Sequence, residues 1–215
     1  MLIERDLRLV ELTGAAYHVA HVSTGAAVEA IRRAKVRGLP VTADATPHHL
    51  TLNELEVEGY RTFAKVSPPL RAEADRQAVV SGLADGTIDV IASDHWAQDQ
   101  DSKRLPFAQA EYGVVGLETL LPIALSLVHD GTLSLLALLD KITRAPADLL
   151  GIDAGRLRIG AWGDLVLFDP DAPGRIREEG LRSMSKNTAF DGRLVQGKVL
   201  RTLVDGRTIY QSDET

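Results

Sequence analysis

An alternation of short apolar runs with helical segments is the feature that most constrains the fold of this sequence. Three runs containing β-branched residues read as strands, namely residues 17–22, 41–45 and 89–94. Helical patterns separate them at residues 25–37 and 74–84. Strands that alternate with helices form βα units on a parallel sheet. We therefore predict an α/β fold.

The remainder of the first half predicts a leading helix and two long loops. Apolar side chains at helical spacing over residues 1–13 indicate a helix, which the following glycine ends. Residues 53–71 are expected to be irregular because two adjacent prolines there forbid regular helix. Residues 97–113 form a polar loop that is long for a compact domain, which suggests a functional loop.

In the second half of the sequence, helical residue patterns give way to strand-like patterns. Helices are expected at about residues 115–129 and 134–150. Glycine-punctuated apolar runs follow, and Asp205-Gly206 between two of them is a strong hairpin signal. We therefore divide the chain into an α/β part, residues 1–154, and an antiparallel β appendage, residues 155–215.

Composition excludes several classes of function. The chain has no cysteine, which rules out disulfides, thiolate metal ligands and a cysteine nucleophile. Its net charge is −6 and it has no long basic stretch, which argues against nucleic acid as a partner. No apolar run reaches membrane-spanning length, and the charged start lacks the apolar core of a signal peptide. We therefore expect a cytoplasmic protein without a membrane partner.

The run Asp89–His95 ends in the strongest candidate for a catalytic group. Side chains alternate faces along a strand, so Val90, Ala92 and Asp94 are expected to share one face. Active sites of parallel α/β proteins lie at the carboxyl ends of the strands, where Asp94 is expected. The alternative is a helix cap or a buried acid whose neighbours satisfy it.

Histidines near two other strand ends are candidate metal ligands. His18 and His21 are three residues apart, so on a strand they point to opposite faces and only one reaches a site. His21 is the better candidate because it lies nearer the carboxyl end, and its alternative is a hydrogen-bonded core histidine. Of the adjacent His48 and His49, at most one is expected to be functional.

Asp94 together with a histidine ligand is the pattern of metal-assisted hydrolysis. A divalent ion lowers the pKa of a bound water, and a carboxylate beside it can take the proton and pass it to a leaving nitrogen. Zinc prefers about four ligands. Because the sequence contains no His-x-His pair, spacing alone indicates half of a metal site.

Several motifs resemble those of dihydroorotases in the amidohydrolase superfamily. The matching segments, in their family order, are His21–Thr24, Thr46–Leu50, Ser67–Arg71, Asp85–His95, Tyr112–Thr119, Gly160–Asp169 and Ser185–Gly192. The resemblance covers nearly the whole chain but only the second half of the family's length. It implies the C-terminal part of a (βα)8 barrel, about strands 6 to 8, over residues 1–154. A small antiparallel β-sandwich segment would follow over residues 155–215.

By this resemblance, His21 matches the metal ligand on the sixth strand of the family. Asp94 matches the aspartate on the eighth strand, which is both metal ligand and general acid/base. The cofactor implied is Zn²⁺, with two ions in the complete enzyme and an incomplete site in this chain. The family's His-x-His, its carboxylated lysine or aspartate on the fourth strand and its fifth-strand histidine have no counterpart here.

Four positions match substrate contacts of the family, and two of them depart from its pattern. Tyr112 and Gly113 match a loop that holds substrate through its backbone. Ser67 stands where dihydroorotases usually have asparagine, and Gln98 stands where they have a substrate-binding histidine. A neutral amide adds no charge to bind a carboxylate, which leaves another cyclic amide open as the substrate.

The resemblance implies a cyclic amidohydrolase of pyrimidine biosynthesis that interconverts dihydroorotate and N-carbamoyl-aspartate. A homodimer is expected, and the isolated chain is expected to be inactive because metal ligands are missing. Two alternatives stay open. One is a cyclic amidase of the hydantoinase or allantoinase type, and the other is a non-catalytic dihydroorotase-like partner of aspartate transcarbamoylase.

Overall fold

The computed structural model describes residues 2–212. Its contacts divide the chain into two compact units, which do not coincide with the two parts expected from the sequence. The first comprises Met1–Glu118 and Leu181–Ala189, and the second comprises Thr119–Gly180 and Phe190–Thr215. The boundary expected after residue 154 stays a prediction. Met1 and residues 213–215, which the expected helix and appendage include, lie outside the described residues.

A three-stranded parallel sheet forms the centre of the first unit. Its strands are β1 (Tyr17–Val19), β2 (Val41–Ala45) and β3 (Val90–Ile91), in the order β1-β2-β3. The long helices of this unit are α1 (Leu2–Thr13), α2 (Gly25–Val36) and α4 (Glu73–Ala84). The predicted α/β class and its parallel pairing are confirmed.

Apolar faces of α2 and α4 pack together in the core of this unit. Thr24 caps the start of α2, and its hydroxyl accepts a hydrogen bond from the Ala27 N–H at 3.2 Å. Ile31 on α2 and Leu83 on α4 are both fully buried. Gly82 allows close approach, because a Cβ at this position would lie 2.7 Å from Val28 Cγ1. Each buried side chain of this size stabilises the fold by about 1.5–3 kcal/mol.

Two strands end earlier than the sequence predicts. β1 stops at Val19 rather than at residue 22, and His21 adopts a left-handed φ of 57°. β3 stops at Ile91, and Asp94 has a φ of 46°. Left-handed backbone is incompatible with a continuing strand. The alternation of faces expected up to Asp94 is therefore wrong, although Asp94 does follow β3.

Irregular segments fill the rest of the first unit, as expected. Short helix α3 (Pro47–Thr51) follows β2, and 3₁₀ turns occupy Glu54–Tyr60 and Thr62–Ala64. The long polar loop expected at residues 97–113 contains one helix, α5 (Gln100–Arg104). Its first turn is capped by a carboxylate: Asp99 accepts a hydrogen bond from the Asp101 N–H at 3.0 Å.

The second unit combines three helices with a three-stranded antiparallel sheet. The helices are α6 (Leu120–His129), α7 (Leu135–Ile142) and α8 (Arg144–Leu150), and the strands are β4 (Leu165–Arg175), β5 (Leu194–Val204) and β6 (Arg207–Gln211). The helix expected over residues 134–150 is interrupted at Thr143, whose backbone is not helical. The hairpin at Asp205-Gly206 is confirmed, with the positive φ values, 51° and 73°, that a tight turn between twisted strands needs.

Helix length and polarity also bear on membrane association. Within residues 2–212, every helix is too short or too polar to cross a bilayer.

Candidate functional site

The structure brings His21 and Asp94 together at the carboxyl ends of β1 and β3. His21 Nε2 lies 3.5 Å from Asp94 Oδ1, and both side chains are partly buried. Each residue has a left-handed φ, which turns the chain just beyond its strand. Two residues that are more than seventy positions apart in the sequence therefore face each other at one edge of the sheet.

Asp44, at the carboxyl end of β2, orients His21 and was missed by the sequence analysis. Its Oδ1 accepts a hydrogen bond from the His21 N–H at 2.8 Å and lies 2.9 Å from His21 Nδ1. The carboxylate is acceptor-only, so the His21 proton sits on Nδ1 and the lone pair on Nε2 is directed towards Asp94. A carboxylate that orients a metal-ligating histidine in this way is common in metalloproteins.

Hydrogen bonding controls the charge of this pair. The hydrogen bond that His21 donates to Asp44 raises the pKa of His21 above its ordinary 6.5, although partial burial opposes the shift. Burial by itself would raise the pKa of Asp44, but hydrogen bonds from His21 and His18 hold it below its ordinary 3.8. Asp44 is therefore a carboxylate at neutral pH.

His18 does not point away from this cluster, so the prediction of opposite faces for His18 and His21 is wrong. His18 Nε2 lies 2.9 Å from Asp44 Oδ2, and its Nδ1 lies 2.8 Å from the Thr42 hydroxyl. Face alternation fails because β1 ends between the two histidines. His21 is nevertheless the one of the two that approaches Asp94.

His48 and His49 differ in their surroundings. His48 Nε2 lies 3.4 Å from Asp94 Oδ2, and this buried nitrogen has no hydrogen-bond partner among the residues that the structure describes. Burial lowers the pKa of His48, which keeps the ring neutral. His49 instead contacts the Thr46 hydroxyl and the Pro68 carbonyl oxygen, and burial is the largest cause that lowers its pKa to about 3. His48 is thus the member of the pair that reaches Asp94.

Two of the expected substrate contacts lie on surface loops. Ser67 is exposed. Gln98 is partly exposed, and its side-chain Nε2 donates a hydrogen bond to the carbonyl oxygen of Tyr112 at 2.8 Å. The Gln98 side chain therefore links the beginning of the 97–113 loop to its end.

Gly113 is required for conformational reasons. Its φ is 114°, and a Cβ at this position would lie 2.8 Å from Trp96 Cβ and 3.0 Å from the Trp96 carbonyl oxygen. Its N–H donates a hydrogen bond to the Lys65 carbonyl oxygen at 3.0 Å. The main chain at Gly113 is therefore tightly held.

The donor set at His21 and Asp94 suits a zinc ion in part. Zinc–nitrogen and zinc–oxygen distances of about 2.0–2.2 Å put two tetrahedral ligands roughly 3.3–3.5 Å apart. The 3.5 Å between His21 Nε2 and Asp94 Oδ1 fits this separation. No group of three or more His, Cys, Asp or Glu side chains within residues 2–212 is arranged to hold a metal ion. The described residues thus supply two of about four ligands.

Comparison with known proteins identifies the family. Residues 5–209 match the model of the amidohydrolase family. The chain belongs to this family. Among curated relatives, dihydroorotase from Anaplasma phagocytophilum (strain HZ) is 45% identical over 214 residues, which is 99% of this chain and 48% of the relative. Dihydroorotase from Desulforapulum autotrophicum is 46% identical over 213 residues, 99% of this chain and 50% of the relative.

Solved structures of a hydantoinase and a dihydropyrimidinase are similar in fold. L-hydantoinase (dihydropyrimidinase) from Arthrobacter aurescens matches with a TM-score of 0.92 and 32% identity over 99% of this chain and 49% of its own. Dihydropyrimidinase from Brevibacillus agri NCHU1002 matches with a TM-score of 0.91 and 26% identity over 97% of this chain and 48% of its own. The chain thus spans about half the length of the relatives that it matches.

Proposed function

We propose that this amidohydrolase chain forms the C-terminal part of a dihydroorotase, which hydrolyses dihydroorotate reversibly to N-carbamoyl-aspartate. In this proposal residues 1–154 belong to a (βα)8 barrel and residues 155–215 to a β-sandwich. Three findings support the proposal: the order of the motifs, the similarity to dihydroorotases at 45–46% identity, and the His21–Asp94 pair.

His21 and Asp94 would hold a divalent ion, with zinc the expected metal and further ligands outside the described residues. When bound, the ion supplies Lewis acidity, which polarises a carbonyl and acidifies water. Asp44 keeps the Nδ1 proton of His21 in place, so that Nε2 stays available as a ligand.

Asp94 would move the proton that the reaction requires. Water adds to the ring carbonyl carbon of dihydroorotate, the ring C–N bond breaks, and the departing nitrogen must gain a proton. The Asp94 carboxylate takes the proton from water and returns it to this nitrogen, as a general base and then a general acid. His48 Nε2 faces the second oxygen of Asp94 at 3.4 Å and would steady that carboxylate between the two steps.

Four residues would contact the substrate. The side chains of Ser67 and Gln98 would supply neutral hydrogen bonds, and the main chain of Tyr112 and Gly113 would line the ring. The carbonyl oxygen of Tyr112 already accepts from Gln98, but its second lone pair can accept a ring N–H.

The observation that carries this proposal is the 3.5 Å approach of His21 Nε2 to Asp94 Oδ1, with Asp44 behind the imidazole. It supports the proposal because a metal ligand at His21 would then lie beside a proton carrier at Asp94, and metal-assisted amide hydrolysis needs both.

The test compares this chain with a form extended by the codons upstream of Met1. Both are assayed for N-carbamoyl-aspartate formation from dihydroorotate, and their zinc content is determined. We expect turnover from the extended form and none near a usual enzyme rate from the chain alone. In the extended form Asp94→Asn should lower kcat about 10²–10⁴-fold. Asp101→Asn, at an exposed position in α5, is the control and should leave kcat unchanged. If Asp94→Asn retains more than about a tenth of kcat, the role given to Asp94 is wrong.

A cyclic amidase of the hydantoinase type is the second candidate. The observation that favours it is Gln98, whose neutral amide stands where dihydroorotases carry a histidine and adds no charge for the carboxylate of dihydroorotate. The relatives of known structure named hydantoinase and dihydropyrimidinase are 26–32% identical to this chain. Hydrolysis of hydantoin or dihydrouracil, without hydrolysis of dihydroorotate, would favour this candidate.

The same proposal predicts the oligomeric state of the protein, its location and the kind of molecule on which it acts. We expect a homodimer in the cytoplasm, acting on a small molecule. If neither form of the chain hydrolyses a cyclic amide, the remaining possibility is a non-catalytic partner of aspartate transcarbamoylase, which co-purification of the two proteins would support.

A further inference from the structure

Two lysines lie side by side in the interior of the first unit. Lys65 is 7% exposed and Lys103 is fully buried. Buried lysines are rare unless they are paired. In the part of the chain that the structure describes, however, no ion pair joins either ammonium group to a carboxylate within 4.0 Å. Something other than a salt bridge must therefore satisfy them.

Carbonyl oxygens of the 106–113 loop satisfy Lys65. Its Nζ donates to Phe107 O at 2.7 Å and Ala110 O at 2.6 Å, and more weakly to Ala108 O at 3.4 Å. The ring of Tyr112 lies over the same ammonium, with 4.5 Å between Nζ and the ring centroid. The loop thus curves around the end of this side chain.

Lys103 holds the last residues of the same loop. Its Nζ donates to Glu111 O at 2.8 Å and to Gly113 O at 3.1 Å. Gly113 is also fixed by Asn187 Nδ2, which donates to its carbonyl oxygen at 3.1 Å, and by its own N–H bond to the Lys65 carbonyl. Five carbonyl oxygens within residues 107–113 therefore accept hydrogen bonds from the two ammonium groups.

We propose that Lys65 and Lys103 are positioning residues that shape the 106–113 loop through its carbonyl oxygens, and so fix the main chain of Tyr112 and Gly113 against the cyclic amide substrate. The substrate contact rests on the proposed function, whereas the shaping of the loop does not. The physical reason is that parallel carbonyl dipoles repel one another unless a shared donor lies between them. An apolar side chain of equal size would remove these donors, and the buried Ala110 carbonyl oxygen would lose its lysine partner.

Each lysine has at least as many N–H donors as it has carbonyl partners. Burial, and after it the charge of Lys65, lowers the pKa of Lys103 to about 8, while Glu111 opposes the shift. A neutral Lys103 amine still has two N–H groups for its two carbonyl partners. Lys65 contacts three carbonyl oxygens and uses all three donors of an ammonium. The hydrogen bonds from the two lysines to the loop carbonyl oxygens are therefore retained below and above pH 8.

Amide hydrogen exchange tests the shaping of the loop in the 215-residue chain itself. Lys103→Met and Lys65→Met keep the length of the side chain and remove its donors. We expect amides of residues 107–113 to exchange at least about tenfold faster in both variants, because each variant loses two or more hydrogen bonds to a charged group. Peptides from α2 should exchange as in the wild type.

Lys35→Met is the matched control, because Lys35 also ends in a hydrogen-bonded ammonium, 2.7 Å from both oxygens of Asp89. It should leave exchange of residues 107–113 unchanged. Unchanged loop exchange in Lys103→Met, or an equal acceleration throughout the first unit, would overturn the inference.

Kinetics test the link to substrate. In the extended form, Lys103→Met should raise KM for dihydroorotate about tenfold or more while kcat changes less than about threefold, since the loop contacts substrate and not the reacting proton. An unchanged KM beside faster loop exchange would refute the positioning role. Absence of turnover in the unmutated extended form would count against the proposed function alone, and hydrogen exchange would still decide how the loop is shaped.

Discussion

Asp44→Asn is the perturbation that best isolates the polar cluster at the end of the sheet. The wild-type carboxylate accepts three hydrogen bonds, from the His21 N–H at 2.8 Å, from His21 Nδ1 at 2.9 Å and from His18 Nε2 at 2.9 Å. Asparagine keeps the shape and one acceptor oxygen. It removes the charge and places an NH₂ group where Oδ2 met His18.

The magnitude follows from those three bonds. A hydrogen bond to a charged group contributes about 1.5–3 kcal/mol, and the two imidazoles are about a quarter exposed, which reduces their share. We therefore expect Asp44→Asn to lower the free energy of unfolding by about 2 kcal/mol. Asp44→Ala, which leaves every donor unpaired, should cost about 4 kcal/mol.

The pH dependence has a definite sign. The pKa of Asp44 is lowered by folding, so its contribution is present above pH 3.8 and is lost as pH falls through the folded value. The pKa of His21 is raised, so its contribution is full below pH 6.5 and is lost as pH rises through the folded value. The difference in stability between the wild type and Asp44→Asn should therefore be largest between about pH 4 and 6.5.

Urea unfolding of the metal-free chain across pH 3–9 measures this difference, provided that the transition is two-state. Asp153→Asn serves as control, because Asp153 is exposed and its ion pair with Arg158 is expected to contribute less than about 1 kcal/mol. A loss below about 0.5 kcal/mol in Asp44→Asn, or a difference independent of pH, would refute the role assigned to the carboxylate.

Three further predictions concern the 97–113 loop. Burial lowers the pKa of Lys103 from 10.5 to about 8 in the folded chain. Between these two pH values the unfolded chain binds more protons, so the free energy of unfolding should rise by roughly 3 kcal/mol. Urea titrations should find this rise in the wild type and not in Lys103→Met. Gly113→Ala should lower the melting temperature by several degrees, because alanine is strained at φ 114° and its Cβ would contact Trp96. The control is Gly86→Ala, which has open space around its Cβ and should lower the melting temperature only by the strain of its positive φ. Gln98→His should preserve kcat in the extended form and lower KM for dihydroorotate, and a raised KM would point to another substrate.

Local signals account for the parts of the fold that the sequence predicts correctly. The helical pattern at residues 25–37 is found as α2, which begins where the Thr24 side-chain oxygen satisfies a free N–H group. Asp205-Gly206 forms the hairpin because both residues accept positive φ. Such signals depend on a few neighbouring residues, so they can be recognised without knowing the tertiary structure.

Burial of Lys103 illustrates what local signals miss. In the sequence, Lys103 lies in a polar stretch, between Ser102 and Arg104, and such a position is typical of a solvated surface. The side chain is buried because the loop folds back and places the carbonyl oxygens of Glu111 and Gly113 around it. Those partners are eight and ten residues away and belong to the main chain, so no side-chain pattern indicates them.

Asp44 carried a signal that the sequence analysis did not use. An aspartate at the end of an apolar strand is expensive to bury unless partners satisfy it, so its position in the run 41–45 already required donors nearby. The donors could not be named, because His18 lies on β1 and His21 just beyond it, and strand order is a tertiary property. Once β2 is known to pair with both β1 and β3, Asp44 must lie between the groups that end those strands.

The strand order β1-β2-β3 also explains why His21 and Asp94 adopt left-handed backbone conformations. Neighbouring strands lie about 4.8 Å apart, so the ends of β1 and β3, on either side of β2, are separated by roughly 10 Å. His21 and Asp94 close most of this gap, to 3.5 Å between side-chain atoms, by turning over the end of β2 with φ values of 57° and 46°. Left-handed backbone costs a residue with a Cβ about 1–2 kcal/mol. The hydrogen bond from the His21 N–H to Asp44 offsets that cost at one of the two turns, which ties the carboxylate to the geometry of the ligand pair as well as to its charge.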